Sequence, residues 1–245
     1  MKKYPDIFPL GDAAVTIELG DQIEEFVNNQ VISMQDWFRE HPFTGLKDCI
    51  PAYASLTLFY DPFIVYHCYQ PDTTIAEWVS KLLDEAFRQC SGNPGKPTRE
   101  HRIPVCYDTA FGPDLAFLAS ARQLNVEEVI QFHTTRSYRV FMIGFLPGFS
   151  YLGPVHQHIE LGRKAQPVQV LPGSVGIAGA QTGIYPVNSP GGWHIIGRTP
   201  VKLFDPHAQD PVLLKTGDQV TFYPITASEF HEFSSSRLST ADGQP

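Results

Sequence analysis

Cysteine is scarce. Only Cys49, Cys68, Cys90 and Cys106 occur in 245 residues, and none forms a CxxC pair. Zinc sites need clustered ligands, and small secreted scaffolds need far denser cysteine. Reduced, mostly buried thiols in a cytoplasmic protein are therefore expected, with Cys106 in IPVCY as a small apolar filler. Positive charge is also short: 18 Lys and Arg against 26 Asp and Glu give a net charge of −8. That balance argues against nucleic acid, which wants a basic face. No apolar run approaches the ~20 residues that span a bilayer. The opening MKKYPDIFPLGD has two lysines but no apolar stretch after them, so neither a membrane segment nor a signal peptide is expected. Internal repeats and low-complexity tracts are missing. So are the GxxxxGK[ST] phosphate loop, the strand–GxGxxG–helix fingerprint, HExxH, and a GxSxG elbow around Ser189. A chain without a nucleotide cradle fits a component that completes a site with partners better than a stand-alone ATP-dependent enzyme.

What is present divides the chain in two. At 42% hydrophobic residues it has enough apolar material for one large or two small cores. Residues 1–92 alternate strand and helix signals. AAVTIEL and ASLTLFYD read as strands, and the stretch from Ile23 to Glu40 reads as a helix. The helix is given a stripe of Phe26, Val27, Ile32, Met34 and Trp37, ended by Pro42. TTIAEWVSKLLDEAFRQC is the strongest helix, capped by Thr73 or Thr74. This predicts an α+β N-terminal layer. SGNPGKPTRE, Ser91 to Glu100, reads as a linker. Residues 93–230 begin with two short helices, one opened by Gly112-Pro113-Asp114 and one capped by Asn125. They continue as β-rich pieces between Gly/Pro turns (YRVFMIGF, QVLPGSVGIAG, GWHIIG, VKLFD, QVTFYPI), which predicts a β-barrel or sandwich. Residues 231–245 form a polar tail, expected to be disordered.

The densest run of unusual residues is Gln181 to Pro206, QTGIYPVNSPGGWHIIGRTPVKLFDP. Gly191 and Gly192 permit positive φ and close approach of another group. The run is either a rigid turn presenting polar groups to a ligand or partner, or a bulge that merely packs Trp193. Arg198 offers a fork of donors to a carboxylate or phosphate, or else a salt bridge at the barrel rim. His194 follows Trp193, so alternation directs them to opposite faces. With Trp193 in the core, His194 would face outward or toward a partner. Gln181 offers an amide to orient a ligand carbonyl, or a turn cap. Ser189 reads as a turn former before Pro190. In GFLPGFSYLG, Phe145, Leu146, Phe149 and Tyr151 would wall an apolar pocket or dock a partner, or fill the barrel, the reading favoured for Phe145. His156, His158 and Glu160 alternate as metal ligands do, yet read as a solvated polar stretch, and no metal is assigned. The site is expected on the C-terminal segment, with the N-terminal layer as scaffold or assembly surface.

Several motifs in register, PLGDAAVTIEL, IPAYASLTLFYDP, IPVCYD…FGPDL, GFLPGFSYLG, GSVGIAGAQTGIYP and SPGGW…IIGRTP, resemble the family of 5-oxoprolinase B subunits. This family is also called the kinase-A-inhibitor or allophanate hydrolase subunit 1 family, and it is similar to half of the urea carboxylase carboxyltransferase domain. The resemblance implies a cyclophilin-like β-barrel and one component of a hydrolase complex, inactive alone. Such a component works with the A and C subunits of 5-oxoprolinase to cleave 5-oxo-L-proline to L-glutamate, using ATP bound at the level of the complex. It implies Arg198 and His194 as charge stabilisers and Gln181 as a positioning amide. Ser189, Gly191, Gly192, Trp193, Phe149, Tyr151 and Arg163 are implied to bind substrate or partner. The same family leaves open a regulatory protein that inhibits a sensor histidine kinase, or a carboxyltransferase or allophanate hydrolase-type component acting on another small amide. A prolyl isomerase rests on barrel analogy alone. One departure stands out: Val168 follows Pro167 where the family carries arginine, leaving either Arg163 or Lys164 to supply that charge, or an altered activity.

Overall fold

The structure, a computed structural model, describes residues 4–91 and 99–233. The chain divides between Pro97 and Thr98 into two units, each with its own core. Most of the expected linker and the segment 234–245 lie outside the described residues.

In the first unit, β1 (Asp6–Pro9), β2 (Ala14–Glu18), α1 (Glu25–Glu40), β3 (Leu46–Pro51), β4 (Ser55–Tyr60), α2 (Pro62–Tyr69) and α3 (Ile75–Cys90) follow in order. The strands make an antiparallel sheet ordered β1-β2-β4-β3. Val15 and Ile17 of β2 and Leu56 and Leu58 of β4 are buried with Val79 and Leu83 of α3. Thr74 and Glu77 close a reciprocal capping box at the start of α3, satisfying two backbone donors. The stripe expected for α1 is corrected: its buried residues are Asn28, Val31, Met34, Gln35 and Phe38, while Phe26 is 69% exposed. Two amides hold core-facing positions because they bond to backbone carbonyls, Asn28 Nδ2 to Tyr53 at 3.1 Å and Gln35 Nε2 to Cys49 at 2.9 Å. Helix α2 has no counterpart in the sequence expectations. It starts where the Asp61 carboxylate accepts from the Phe63 and Ile64 N–H groups, with Pro62 in the first turn. The thiols also need correction: Cys90 and Cys106 are buried, but Cys49 is half-buried and Cys68 exposed.

The second unit contains β5 (Glu100–Cys106), α4 (Leu115–Ala121), α5 (Val126–Thr134), β6 (Ser137–Ile143), β7 (Ser150–Gly153), β8 (Val168–Val170), β9 (Ser174–Ala178), β10 (Gln181–Ile184), β11 (Ser189–Gly191), β12 (His194–Arg198) and β13 (Gln219–Ile225). Seven strands close a barrel in the order β10-β7-β6-β13-β5-β12-β9, and β8 and β11 form a separate two-stranded ribbon. Every neighbouring pair is antiparallel except β13 with β5. Alternation assigns the faces: Val175 and Ile177 of β9, Ile184 of β10 and Leu152 of β7 belong to the main core, together with Leu118 of α4 and Val129 of α5. VKLFD is not a strand; it contributes only an isolated bridge from Phe204 to Val212. Residues 231–233, expected in the disordered tail, continue a helical segment that begins at 227. Among the described residues no helix is long and apolar enough to cross a membrane.

Candidate functional site

Residues on the opposite face of β9 and β10 from the main core build a second cluster. Phe149, Val170, Ala178, Tyr185, Trp193 and Ile195 are buried there, with Leu146 and Tyr151 half-buried against them. Glycines clear the floor for the indole. A Cβ at Gly183 would fall 2.9 Å from Trp193 Cζ3, and one at Gly176 would fall 3.0 Å from Trp193 Cβ. Phe149 meets Tyr151, Tyr185 and Trp193 edge-on, with centroids 4.7, 5.0 and 5.4 Å away, the geometry aromatic quadrupoles favour. Gly191 is glycine because the Tyr185 ring presses on its backbone, Cβ to Cε1 being 2.7 Å. Neither Gly191 nor Gly192 has positive φ, so the conformational freedom expected of them is not used; at Gly191 it is the close approach that counts. Phe145 does not fill the barrel. It is 65% exposed, held at φ 68° beside Phe149.

Polar atoms rim this cluster. The Trp193 backbone N–H acts on the Tyr185 hydroxyl and holds its pKa down against burial. Burial pushes the Tyr151 and Tyr185 phenols up, and the Arg163 guanidinium partly offsets this in both. Arg163 itself is exposed, and no carboxylate among the described residues pairs with it. Its neighbour Lys164 is committed to Asp114 at 2.6 Å. Ser189 lies on the same side of β11 as Gly191, with Pro190 between them facing out, and its buried Oγ has no hydrogen-bond partner. Gln181 shares the face of Gly183 on β10 by alternation. Val168, where the resemblance implies an arginine, is exposed on β8 opposite Gly191.

His194 and Arg198 lie at the two ends of β12. His194 pairs with Ile177, an interior residue, and is only 5% exposed. The expectation that it faces outward is therefore corrected: Trp193 takes the outer wall and His194 the interior side. Its Nε2 donates to the Gly162 carbonyl at 2.9 Å, and Phe117 of α4 stacks on the ring at 5.4 Å. That leaves Nδ1 buried without a partner. Arg198, at the end of β12, donates through Nε to the Pro172 carbonyl at 2.7 Å and lies over the Phe230 ring at 5.7 Å. Burial lowers its pKa. No salt bridge fixes it among the described residues, so its terminal nitrogens keep their donors.

In the sequence Tyr185 is visible only as part of a motif and Asp114 only as a helix opener. Asp114 clasps the bulge in β12: its N–H donates to the Ile195 carbonyl at 2.9 Å, and its Oδ2 accepts from the Ile195 N–H at 2.7 Å. Gly112 lets α4 approach, since a Cβ there would lie 2.2 Å from the Ile196 carbonyl oxygen. The signal is the FGPDL string, whose partner is too distant in sequence to read. His156 stacks on Phe132 and His158 meets the same ring edge-on. Among the described residues no group of three His, Cys, Asp or Glu is placed to hold a metal.

Residues 5–214 match the family model for the carboxyltransferase domain, subdomain C and D. The B subunit of 5-oxoprolinase from Bacillus subtilis (strain 168) is 44% identical over 226 residues, covering 91% of this chain and 94% of that one. The protein of the same name from Escherichia coli O157:H7 is 47% identical over 216 residues, 88% of this chain and 94% of that one. The crystal structure of Kluyveromyces lactis urea carboxylase matches at TM-score 0.75 and 17% identity, over 92% of this chain and 22% of that chain, a likeness of fold.

Proposed function

The chain belongs to the carboxyltransferase subdomain C and D family and, within it, to the 5-oxoprolinase B subunits, and from that premise we propose that it serves ATP-dependent opening of 5-oxo-L-proline to L-glutamate, in a complex with the A and C subunits. The observation that carries this reading is similarity over nine-tenths of the chain to a relative of that name. A five-membered lactam is a poor electrophile. Transfer of the ATP γ-phosphoryl group to its oxygen makes the ring carbon attackable. Water adds there, the C–N bond breaks to release the amine, and a second water hydrolyses the resulting acyl phosphate to the carboxylate and phosphate. The nucleotide belongs to the complex. This chain contributes a cyclophilin-like barrel that is inactive alone, in the cytoplasm.

In this reading Arg163 takes the place of the arginine lost at Val168 and meets the substrate carboxylate beside the Tyr151 and Tyr185 hydroxyls and Ser189 Oγ. Gly191, Gly192, Trp193 and Phe149 frame that rim. The terminal nitrogens of Arg198 and the Gln181 amide act on developing oxyanions, and His194 supports them from the interior side. The test is to reconstitute the three-component complex and assay glutamate formation. Turnover that is unchanged when this chain is omitted ends the proposal. With the complex in hand, Arg198→Ala is expected to cut turnover roughly 30- to 1000-fold, the value of about 2–4 kcal/mol for a charged transition-state contact. The melt should fall only slightly, by the one bond to Pro172. Full activity would make Arg198 a purely structural rim residue.

A further inference from the structure

A chain of buried polar groups crosses the barrel interior, and the reaction proposed above does not use it. The hydroxyl of Tyr107, just past β5, lies 2.7 Å from His133 Nδ1, and His133 Nε2 lies 3.0 Å from Thr182 Oγ1. Thr182 Oγ1 lies 3.1 Å from the Gly176 carbonyl oxygen. His133 and Thr182 are fully buried. The last acceptor fixes every proton. A carbonyl only accepts, so Thr182 donates to Gly176 and must accept from His133 Nε2–H. His133 Nδ1 is then the lone pair that takes the Tyr107 proton. The Tyr138 hydroxyl anchors the histidine's own backbone carbonyl at 2.9 Å, and Phe222 stacks on the ring at 4.6 Å.

Thr182 occupies β10 between Gln181 and Gly183, whose side-chain positions face the opposite way, toward the Trp193 cluster. Gly176, the terminal acceptor, is the other glycine under the indole. The interior chain thus ends on the two strands whose outer faces carry the candidate site. We propose that His133, held as the neutral Nε2–H tautomer, is a positioning residue that fixes the β9–β10 hairpin from inside, and that its protonation releases the Trp193 platform. A protonated ring would present an N–H to Tyr107, whose hydroxyl would have to turn its own proton away into apolar surroundings. The titratable groups facing the ring are Tyr107 and Tyr138; Phe222 and Thr182 complete its neighbours, and burial alone depresses its pKa to about 3. The site assignment rests on the proposed function, but the tautomer and the coupling do not.

The test uses the full chain with ring-labelled histidine and long-range proton–nitrogen correlation between pH 7.5 and 2.5, with the Trp193 indole N–H signal followed through the same titration. One neutral ring with an Nε2–H signature, unmoved down to pH 5, is expected. Thr182→Val keeps the shape and removes the link. It should shift the Trp193 indole N–H signal, identified through Trp193→Phe, and cut turnover of the reconstituted complex about tenfold or more. Tyr107→Phe removes only the first donor and should raise the pH at which the His133 signals change by about one unit. An Nδ1–H tautomer, or a His133 ring that titrates above pH 5 in the unaltered chain, overturns the proposal. So does a folded Thr182→Val whose indole signal is unchanged. Should that variant not fold, an unshifted titration in Tyr107→Phe overturns it instead. The nuclear signals are read on this chain by itself, so failure of the 5-oxoprolinase reading leaves them informative.

Discussion

The two units bury polar groups for different ends. In the N-terminal unit Asn28 and Gln35 reach from α1 to backbone carbonyls at and beside β3, and the rest of the core is nearly all aliphatic and aromatic. The barrel unit instead runs a histidine through its middle. It also encloses Ser189 Oγ and His194 Nδ1 without partners, against Tyr60 Oη alone among the described residues of the first unit. Its glycines serve contact as well as turning, at Gly112, Gly176, Gly183 and Gly191. A unit whose polar groups end on its own backbone is suited to hold shape. One that carries unspent donors and acceptors beside a cleared aromatic floor has chemistry left for a ligand.

Acid should distinguish the units most. The folded barrel keeps His133 neutral with a pKa of about 3, against an ordinary 6.5. Between those values the unfolded chain binds the extra proton, so barrel stability is complete above pH 6.5 and falls as pH drops toward 3. The loss is on the order of 5 kcal/mol over the whole window. The first unit has Asp61, whose pKa the Lys47 hydrogen bond and then the Ile64 N–H hold below 3.8, so this group begins to cost stability only as pH falls below about 4. Amide exchange at pH 5 should show accelerated opening in β9 and β10 with β2 and β4 still protected. Equal loss in both units would break the comparison.

Leu58→Ala, deleting a side chain with 0% exposure, should destabilise the first unit by about 2–5 kcal/mol. Trp193 fluorescence assigned in the barrel should stay in place, and simultaneous loss of both signals would mean the units are not separate. Gly173→Ala places a Cβ 2.2 Å from the Thr199 carbonyl oxygen at φ 80°. A cost of roughly 3 kcal/mol is expected, confined to the barrel and read in its denaturation midpoint. Thr74→Ala removes the capping box of α3 and should cost about 1 kcal/mol in the first unit alone.

Local signals are the readable ones. Thr74 with Glu77 and Asn125 with Glu128 announce helix starts because both partners lie three residues apart. The short β-rich pieces between Gly/Pro turns mark most barrel strands for the same reason. The face of α1 escapes a reading by periodicity because its buried amides look polar until the carbonyls they meet are known. Asp114 and Ile195 are 81 positions apart, and His133 and Thr182 are 49 apart; no periodicity links such pairs before the chain has folded. Arg163 is legible in sequence as a cation near the glycine-rich run, but its charge acting on the two phenols of Tyr151 and Tyr185 is not.

Strand β13 lies between β5 and β6 in the barrel, pairing with one in parallel and the other antiparallel. During synthesis β5 and β6 are therefore made long before the strand that joins them, and both edges stay open until residues 219–225 emerge. The first unit faces no such wait, since β1 to β4 pair with near neighbours in sequence. Nascent chains stalled before β13 should present unpaired edges for chaperones or misassociation, so the barrel's vulnerable interval is set by translation time rather than by the strength of any contact within it.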